Sequence, residues 1–256
     1  MPTIIRKRRS PPLVGRFYDT LFSDPLLGEF WGEAFANCGY WDDGVTDGHS
    51  AGNRLVDESL RTVPPEHIAR VLDVACGHGG TTARLLEHFP NAEVFATGID
   101  AGQLTQAAQN APAAHFEVAS PLSLPFEARS FDLVACYEAA FHFDTRADFL
   151  AECARVLRAG GWLVMSDLLM LRTTGYMPAA NYLAGPEAYA DVLRDAGFSD
   201  VTVVDITTPG WRGFRRALTR FLAGKPPSAL SMRDQLMASV VWSYVIRFNV
   251  LVAARR

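Results

Sequence analysis

A chain of 256 residues, 49% hydrophobic and 20% charged, is long enough for one medium-sized globular domain with additions and too apolar for a disordered class. Its net charge of −4 argues against a general nucleic-acid binder, which displaces counterions with a basic surface. Cys38, Cys76, Cys136 and Cys153 stand far apart, with no C-x-x-C pair and no histidine at zinc-finger spacing, so they read as reduced thiols of a cytoplasmic protein, with no metal site.

Residues 1–12 carry a basic start, Arg6 to Arg9, followed by Ser10, Pro11 and Pro12 instead of an apolar segment. They are expected to form a solvated tail without a targeting role, and no later stretch is long enough to span a bilayer. Residues 13–62 are expected to form a helical cap. Phe17 and Leu21, and Trp31 and Phe35, fall at helical spacing around a break at Asp24 and Pro25, and a further helix runs from near Asp47 to Thr62. Most of these rings suit plain packing. Tyr40 and Trp41 lie in the turn-rich NCGYWDDG, where there is less core to fill, and with Tyr18 they are lid candidates.

VLDVACGHGGTTARLLEHF, from Val71 to Phe89, reads as a short apolar strand, a turn at Gly77, Gly79 and Gly80, and a helix with Ala83, Leu85, Leu86 and Phe89 inward. Glycine there lets a ligand approach the backbone, and the helix presents its free N–H groups to it. A nucleotide-like cofactor fits. Two details narrow the choice: Thr82 stands where a dinucleotide fingerprint wants its third glycine, and Asp73 interrupts the apolar strand. No Gly-Lys-Ser/Thr is present to grip a triphosphate.

Strands and helices then alternate, as in a parallel sheet with crossover helices. The expected strands are 92–99, 114–118, 131–136, one following a glycine turn at Gly160 and Gly161 and ending by Asp167, and 201–207, with a last antiparallel strand at 244–253. Asp100, at the end of the second strand, suits either a ribose or the N-cap of the helix 103–110. His142 stands in the loop 137–143 after the fourth strand, beside the reversal in strand order where ligands collect. It suits either a base or a loop hydrogen bond. The irregular segment 168–185, with Tyr176 and Tyr182, could line a substrate pocket. In the insertion 209–243, Trp211, Phe214, Leu218 and Phe221 lie opposite Arg212, Arg215, Arg216, Arg220 and Lys225, most simply a solvated charged face over a buried apolar one.

LDVACGHGG resembles motif I of the class I S-adenosylmethionine-dependent methyltransferases of the small-molecule, natural-product type, with Ala75 in place of the usual first glycine, a small-for-small exchange expected to be harmless. LPF followed by SFDLV resembles the approach to that family's fourth strand, VLRAGGWLVMSD its motif III, and GYWD its N-terminal cap segment. The resemblance implies an α/β fold, a doubly wound, seven-stranded, mostly parallel sheet with a helical N-terminal cap and a helical insertion before the last strand. The core would be 63–256. It implies S-adenosylmethionine as cofactor and S-adenosylhomocysteine as product. Asp73, Ala75, Gly77 and Gly79 would surround the methionine part, Asp100 would hold the ribose, and Ala101, Ser120 and Pro121 would stand near the adenine. Ser120 replaces an acid found there in many members. Tyr137 would stand close to the sulfonium. EAAFHF matches a position where many members carry a base, which makes His142 the catalytic candidate for methylating a hydroxyl of a partly apolar metabolite. A carbon or nitrogen acceptor, such as a quinone or an amine, and a cyclisation in which the cofactor does not react, stay open. So does a homodimer. Neither nucleic acid nor membrane is expected as a partner.

Overall fold

A computed structural model describes residues 24–32, 34–175, 177–226 and 245–256. Two short helices come first. Helix α1, Pro25–Trp31, starts where the Asp24 carboxylate accepts the amides of Leu26 and Leu27 and stops at Gly32, whose φ of +68° ends the turn. Helix α2, Gly48–Leu60, is capped by Asp47, which accepts the Ser50 amide at 2.8 Å.

The alternating unit follows: β1 Arg70–Val74, α3 Gly80–His88, β2 Glu93–Gly98, α4 Ala101–Asn110, β3 His115–Val118, β4 Phe131–Tyr137, α5 Arg146–Val156, β5 Leu157–Met170, α6 Pro186–Asp195, β6 Ser199–Asp205, α7 Gly213–Ala223 and β7 Ile246–Arg255. The strands form one sheet in the order β3-β2-β1-β4-β5-β7-β6. β1 to β5 are parallel, and β7 runs antiparallel between β5 and β6. The expected seven-stranded, mostly parallel sheet is therefore present.

Central strands are covered on both faces, which is why β1 and β4 read as nearly unbroken apolar runs. On one face Leu72, Val134 and Cys136 meet Phe149, Leu150, Tyr189 and Leu193. On the other Val71, Leu133, Ala135 and Val164 meet Leu55 and Val56 of α2 and Leu85 of α3. Ala51, Leu55 and Val56 are fully buried. α2, which sequence placed in the cap, is thus part of the core.

Two boundaries differ from expectation. Gly160 and Gly161 do not precede the fifth strand. They lie inside it, at an irregularity between the pairs Leu157↔Phe131 and Trp162↔Leu133, and Gly160 takes up φ +78° there. β5 also runs on to Met170, because Leu168 and Leu169 keep pairing with β7, so the connection to α6 starts three residues later than expected. Of the insertion, a wide turn at Thr208–Arg212 and α7 are described. The tail 1–12, the candidates Tyr18 and Tyr176, and residues 227–244 lie outside the described residues.

Candidate functional site

The order of the sheet reverses between β1 and β4, so the loops leaving their carboxyl ends diverge and leave a crevice. A cavity of about 240 Å³ opens there. Its floor is the turn after β1, where Ala75 and Gly77 both take left-handed backbone, φ +61° and +55°, and line the cavity with Cys76, His78 and Thr81.

Asp73 and Thr82, the two departures from a dinucleotide fingerprint, explain each other. The Asp73 carboxylate accepts the hydroxyls of Thr81 at 2.6 Å and Thr82 at 2.7 Å, fastening the first turn of α3 to the end of β1. Its other oxygen, Oδ1, is buried without a partner. Burial pushes the carboxyl up to about 6, against the pull of the two threonine hydroxyls. Asp73 therefore lies behind the loop and does not line the cavity. Nor does Gly79. At φ +84° it packs against α4, where a Cβ would come within 2.9 Å of Ala107 Cα.

Thr97, Gly98, Ile99 and Asp100, at the end of β2, form one wall with Gln103. Asp100 does cap α4, accepting the Gln103 amide on Oδ1 at 2.9 Å, and it lines the cavity as well. The two readings of this residue are compatible, since a carboxylate has two oxygens. Ala119 and Pro121 continue the wall, whereas the Ser120 hydroxyl is taken by its own turn, accepting the Leu122 amide at 3.3 Å. Ala101 is exposed on α4 and is not part of the lining.

The opposite wall is Tyr137, Glu138, Ala139, His142 and Phe143, from the end of β4. Tyr137 points its hydroxyl away, 2.6 Å from Ser59 Oγ on α2. His142 ends a single 3₁₀ turn, Ala140–His142, and is 5% exposed. Glu138 went unremarked in the sequence, although an acid directly at the end of a strand by the sheet reversal is a signal in itself. Its backbone is left-handed, φ +51°. Its carboxylate accepts the Asn249 side-chain amide at 2.7 Å and the Cys38 amide at 2.8 Å, and burial pushes it up from its ordinary value.

Through Cys38, Glu138 holds the roof. Ala34, Phe35, Ala36 and Asn37 close over the cavity, and glycines let them come near. A Cβ on Gly80 would stand 2.8 Å from Ala34 O, and one on Gly52 2.7 Å from the Phe35 ring. Gly80 also donates its amide to Ala34 O at 3.1 Å. The expected lid residues sit elsewhere. Tyr40 packs against the α2 cluster with Arg54 above its ring, and Trp41 stacks on Phe30 at 5.8 Å, so neither lines the cavity. Both had enough buried apolar surface nearby to turn away from it. Trp41 serves the roof indirectly, donating Nε1–H to Cys38 O at 2.8 Å. Tyr182 is exposed, and among the described residues of 168–185 none lines the cavity. Among the described residues no cluster of histidine, cysteine or acid side chains could hold a metal ion, and all four cysteines are buried thiols.

A glycine turn at a helix start, an acid at the end of the second strand and a crevice at the sheet reversal together define an enzyme that takes an adenosine-bearing cofactor. Comparison with known proteins gives the family. Residues 72–165 match the model of a methyltransferase domain. The chain is 33% identical to 27-O-demethylrifamycin SV methyltransferase of Amycolatopsis mediterranei over 205 residues, 77% of this chain and 70% of that protein. Among solved structures it is similar to the cyclase SpnF, with a TM-score of 0.74, 25% identity and 95% of each chain covered. It is also similar to geranyl diphosphate C-methyltransferase from Streptomyces coelicolor A3(2), with a TM-score of 0.71, 16% identity and 100% of each chain covered. The chain belongs to the class I S-adenosylmethionine-dependent methyltransferases of the small-molecule, natural-product type, and S-adenosylmethionine is its cofactor.

The residues fit that cofactor. Ala75 and Gly77 put backbone without bulky side chains on the cavity floor, the orphan Asp73 Oδ1 lies buried behind the same loop, and Asp100 lines the cavity at the end of β2.

Proposed function

We propose that the chain transfers a methyl group to a hydroxyl of a mid-sized, partly apolar metabolite of the polyketide, macrolide or phenol kind, with His142 as the base. One observation carries this: His142 is buried in the same cavity as the glycine turn and Asp100, on the wall that faces them. The rifamycin relative, by its name, acts at an oxygen, which supports the hydroxyl. S-adenosylmethionine, when bound, supplies a methyl group already activated on a sulfonium.

What remains for the protein is to orient two partners, exclude water and take one proton. On this proposal Ala75 and Gly77, with Asp73 behind them, shape the place of the methionine end. Asp100 holds the ribose, Pro121 borders the adenine, and Tyr137 stands next to the sulfonium. Phe35, Ala36 and Phe143 give the cavity an apolar side suited to the acceptor. Ala34 to Asn37 close over the site, and Trp41 supports that closure through its bond to the Cys38 carbonyl. No helix of the described residues is long and apolar enough to cross a membrane. A cytoplasmic location and a homodimer belong to the proposal.

The test is a screen of hydroxylated metabolites for formation of S-adenosylhomocysteine, followed by His142→Ala. Turnover should fall at least tenfold while cofactor affinity stays within about twofold, in keeping with the ~10²–10⁴-fold that a positioned base contributes. Unchanged turnover removes the base. Likeness to the cyclase SpnF supports one second reading, a cyclisation in which the cofactor does not react. Product formation without S-adenosylhomocysteine would favour it. Transfer to carbon or nitrogen would consume the cofactor but leave His142→Ala active.

A further inference from the structure

Below the turn that carries His142 lies a closed set of charged and polar side chains that takes no part in the cavity. Arg146, Asp167, Tyr189 and Asn181 are 2%, 0%, 0% and 2% exposed. Asp167 Oδ2 accepts Arg146 Nε and the Tyr189 hydroxyl, both at 2.8 Å. Arg146 also donates to the carbonyls of Asn181 and Leu168, and lies over the Tyr189 ring. A buried ion pair of this kind contributes little net stability, because desolvation offsets its attraction and an apolar filling of equal volume often does as well. Its presence calls for another reason.

The free ends of the set supply one. Asp167 Oδ1 accepts the amide of Phe141 at 3.2 Å, just before His142. Asn181 Nδ2 donates to the carbonyls of Phe141 at 3.1 Å and Phe143 at 2.6 Å, on either side of His142. Asn181 Oδ1 in turn accepts the Arg146 amide at 2.7 Å, which orients the side chain amide. Three hydrogen bonds thus hold the backbone flanking one residue, and all originate in this buried set. The 168–185 connection, expected to form pocket wall, supplies Asn181 to this cradle instead.

We infer that Asn181 and Asp167, locked by Arg146 and Tyr189, are positioning residues for His142, fixing the turn Phe141–Phe143 so that the imidazole meets the acceptor at one orientation. The inference rests on the proposed role of His142 and adds the device that aims it.

The test uses the full chain with S-adenosylhomocysteine as probe ligand. Asn181→Asp keeps the acceptor for the Arg146 amide but turns two attractions toward the Phe141 and Phe143 carbonyls into repulsions. Amide hydrogen exchange at Phe141–Phe143 should quicken about tenfold or more, while exchange along β4 stays within about twofold. No change at the turn, or an equal rise in both places, overturns the inference. Should Asn181→Asp fail to fold, Tyr189→Phe removes a single hydrogen bond from Asp167. It should then give a rise of about two- to fivefold at the turn alone, and an unchanged turn would overturn the inference. With an acceptor from the screen, Asn181→Asp should lower kcat about tenfold with KM within twofold, and should have no further effect in His142→Ala. Equal losses in both backgrounds contradict positioning. Full activity of His142→Ala would remove the base while the exchange result still reports on the cradle.

Discussion

Asp73→Asn is the perturbation that separates fold from function most sharply. Folding buries this carboxyl completely, with one oxygen unpartnered, and its pKa stands at about 6 against an ordinary 3.8. At low pH the carboxyl is protonated in folded and unfolded chains alike. Between the two values only the folded chain keeps the proton, and above about 6 the folded chain carries a buried charge. Stability from this group is therefore present in acid and lost as pH rises, by ~3 kcal/mol in all, about half of which is still present at pH ~5. Asparagine never ionises, so the difference in unfolding free energy between variant and native chain should grow by about 1.4 kcal/mol from pH ~5 to ~8, while contributions from all other groups cancel in that difference. Urea unfolding of the cofactor-free protein at several pH values measures it. Affinity should run the other way. If the ionised carboxylate helps hold the cationic end of the ligand, calorimetry should find S-adenosylhomocysteine binding about tenfold tighter at pH ~8 than at ~5 for the native chain and unchanged for the variant. A variant that parallels the native chain in stability and affinity at every pH would refute the assignment.

Three further outcomes follow from the same geometry. Asp100→Ser retains an N-cap for α4, so stability should stay within ~0.5 kcal/mol, while loss of the charged acceptor weakens S-adenosylhomocysteine binding about 10–100-fold by calorimetry. Ala75→Gly relieves a left-handed alanine; thermal unfolding should show a gain of ~0.5–1 kcal/mol, a midpoint higher by about 1–4 °C. Gly80→Ala puts a methyl group against Ala34 O and the Phe35 ring, so it should lift the roof and weaken ligand binding at least tenfold, with stability nearly unchanged because alanine favours the helix.

The strand, turn and helix from Arg70 to His88 were legible because an apolar run, a glycine cluster and a helical repeat each signal locally. The start of α2 near Asp47 was legible for the same reason, and the N-cap at Asp100 as one of two readings. Ala75 was recognised as a substitution for glycine, but its strain was not, since only the backbone shows that it keeps glycine's φ of +61°. Gly160 and Gly161 misled because glycine marks a turn and a strand irregularity equally well. The roof was missed for a physical reason. Tyr40 and Trp41 attract attention as large rings, but rings seek burial, and the small residues Ala34, Ala36 and Asn37 that close the cavity carry no pattern of their own. Their place is set by partners far along the chain, Gly80 and Glu138, which no local signal links to them.

The most direct measurement is the structure of the product made from a methyl-labelled S-adenosylmethionine and an acceptor from the screen. Label on a former hydroxyl oxygen, one S-adenosylhomocysteine formed for each methyl transferred, and a turnover at least tenfold lower in His142→Ala are the predicted result. Label on carbon or nitrogen with His142→Ala fully active, or a rearranged product carrying no label, would contradict hydroxyl methylation by this site.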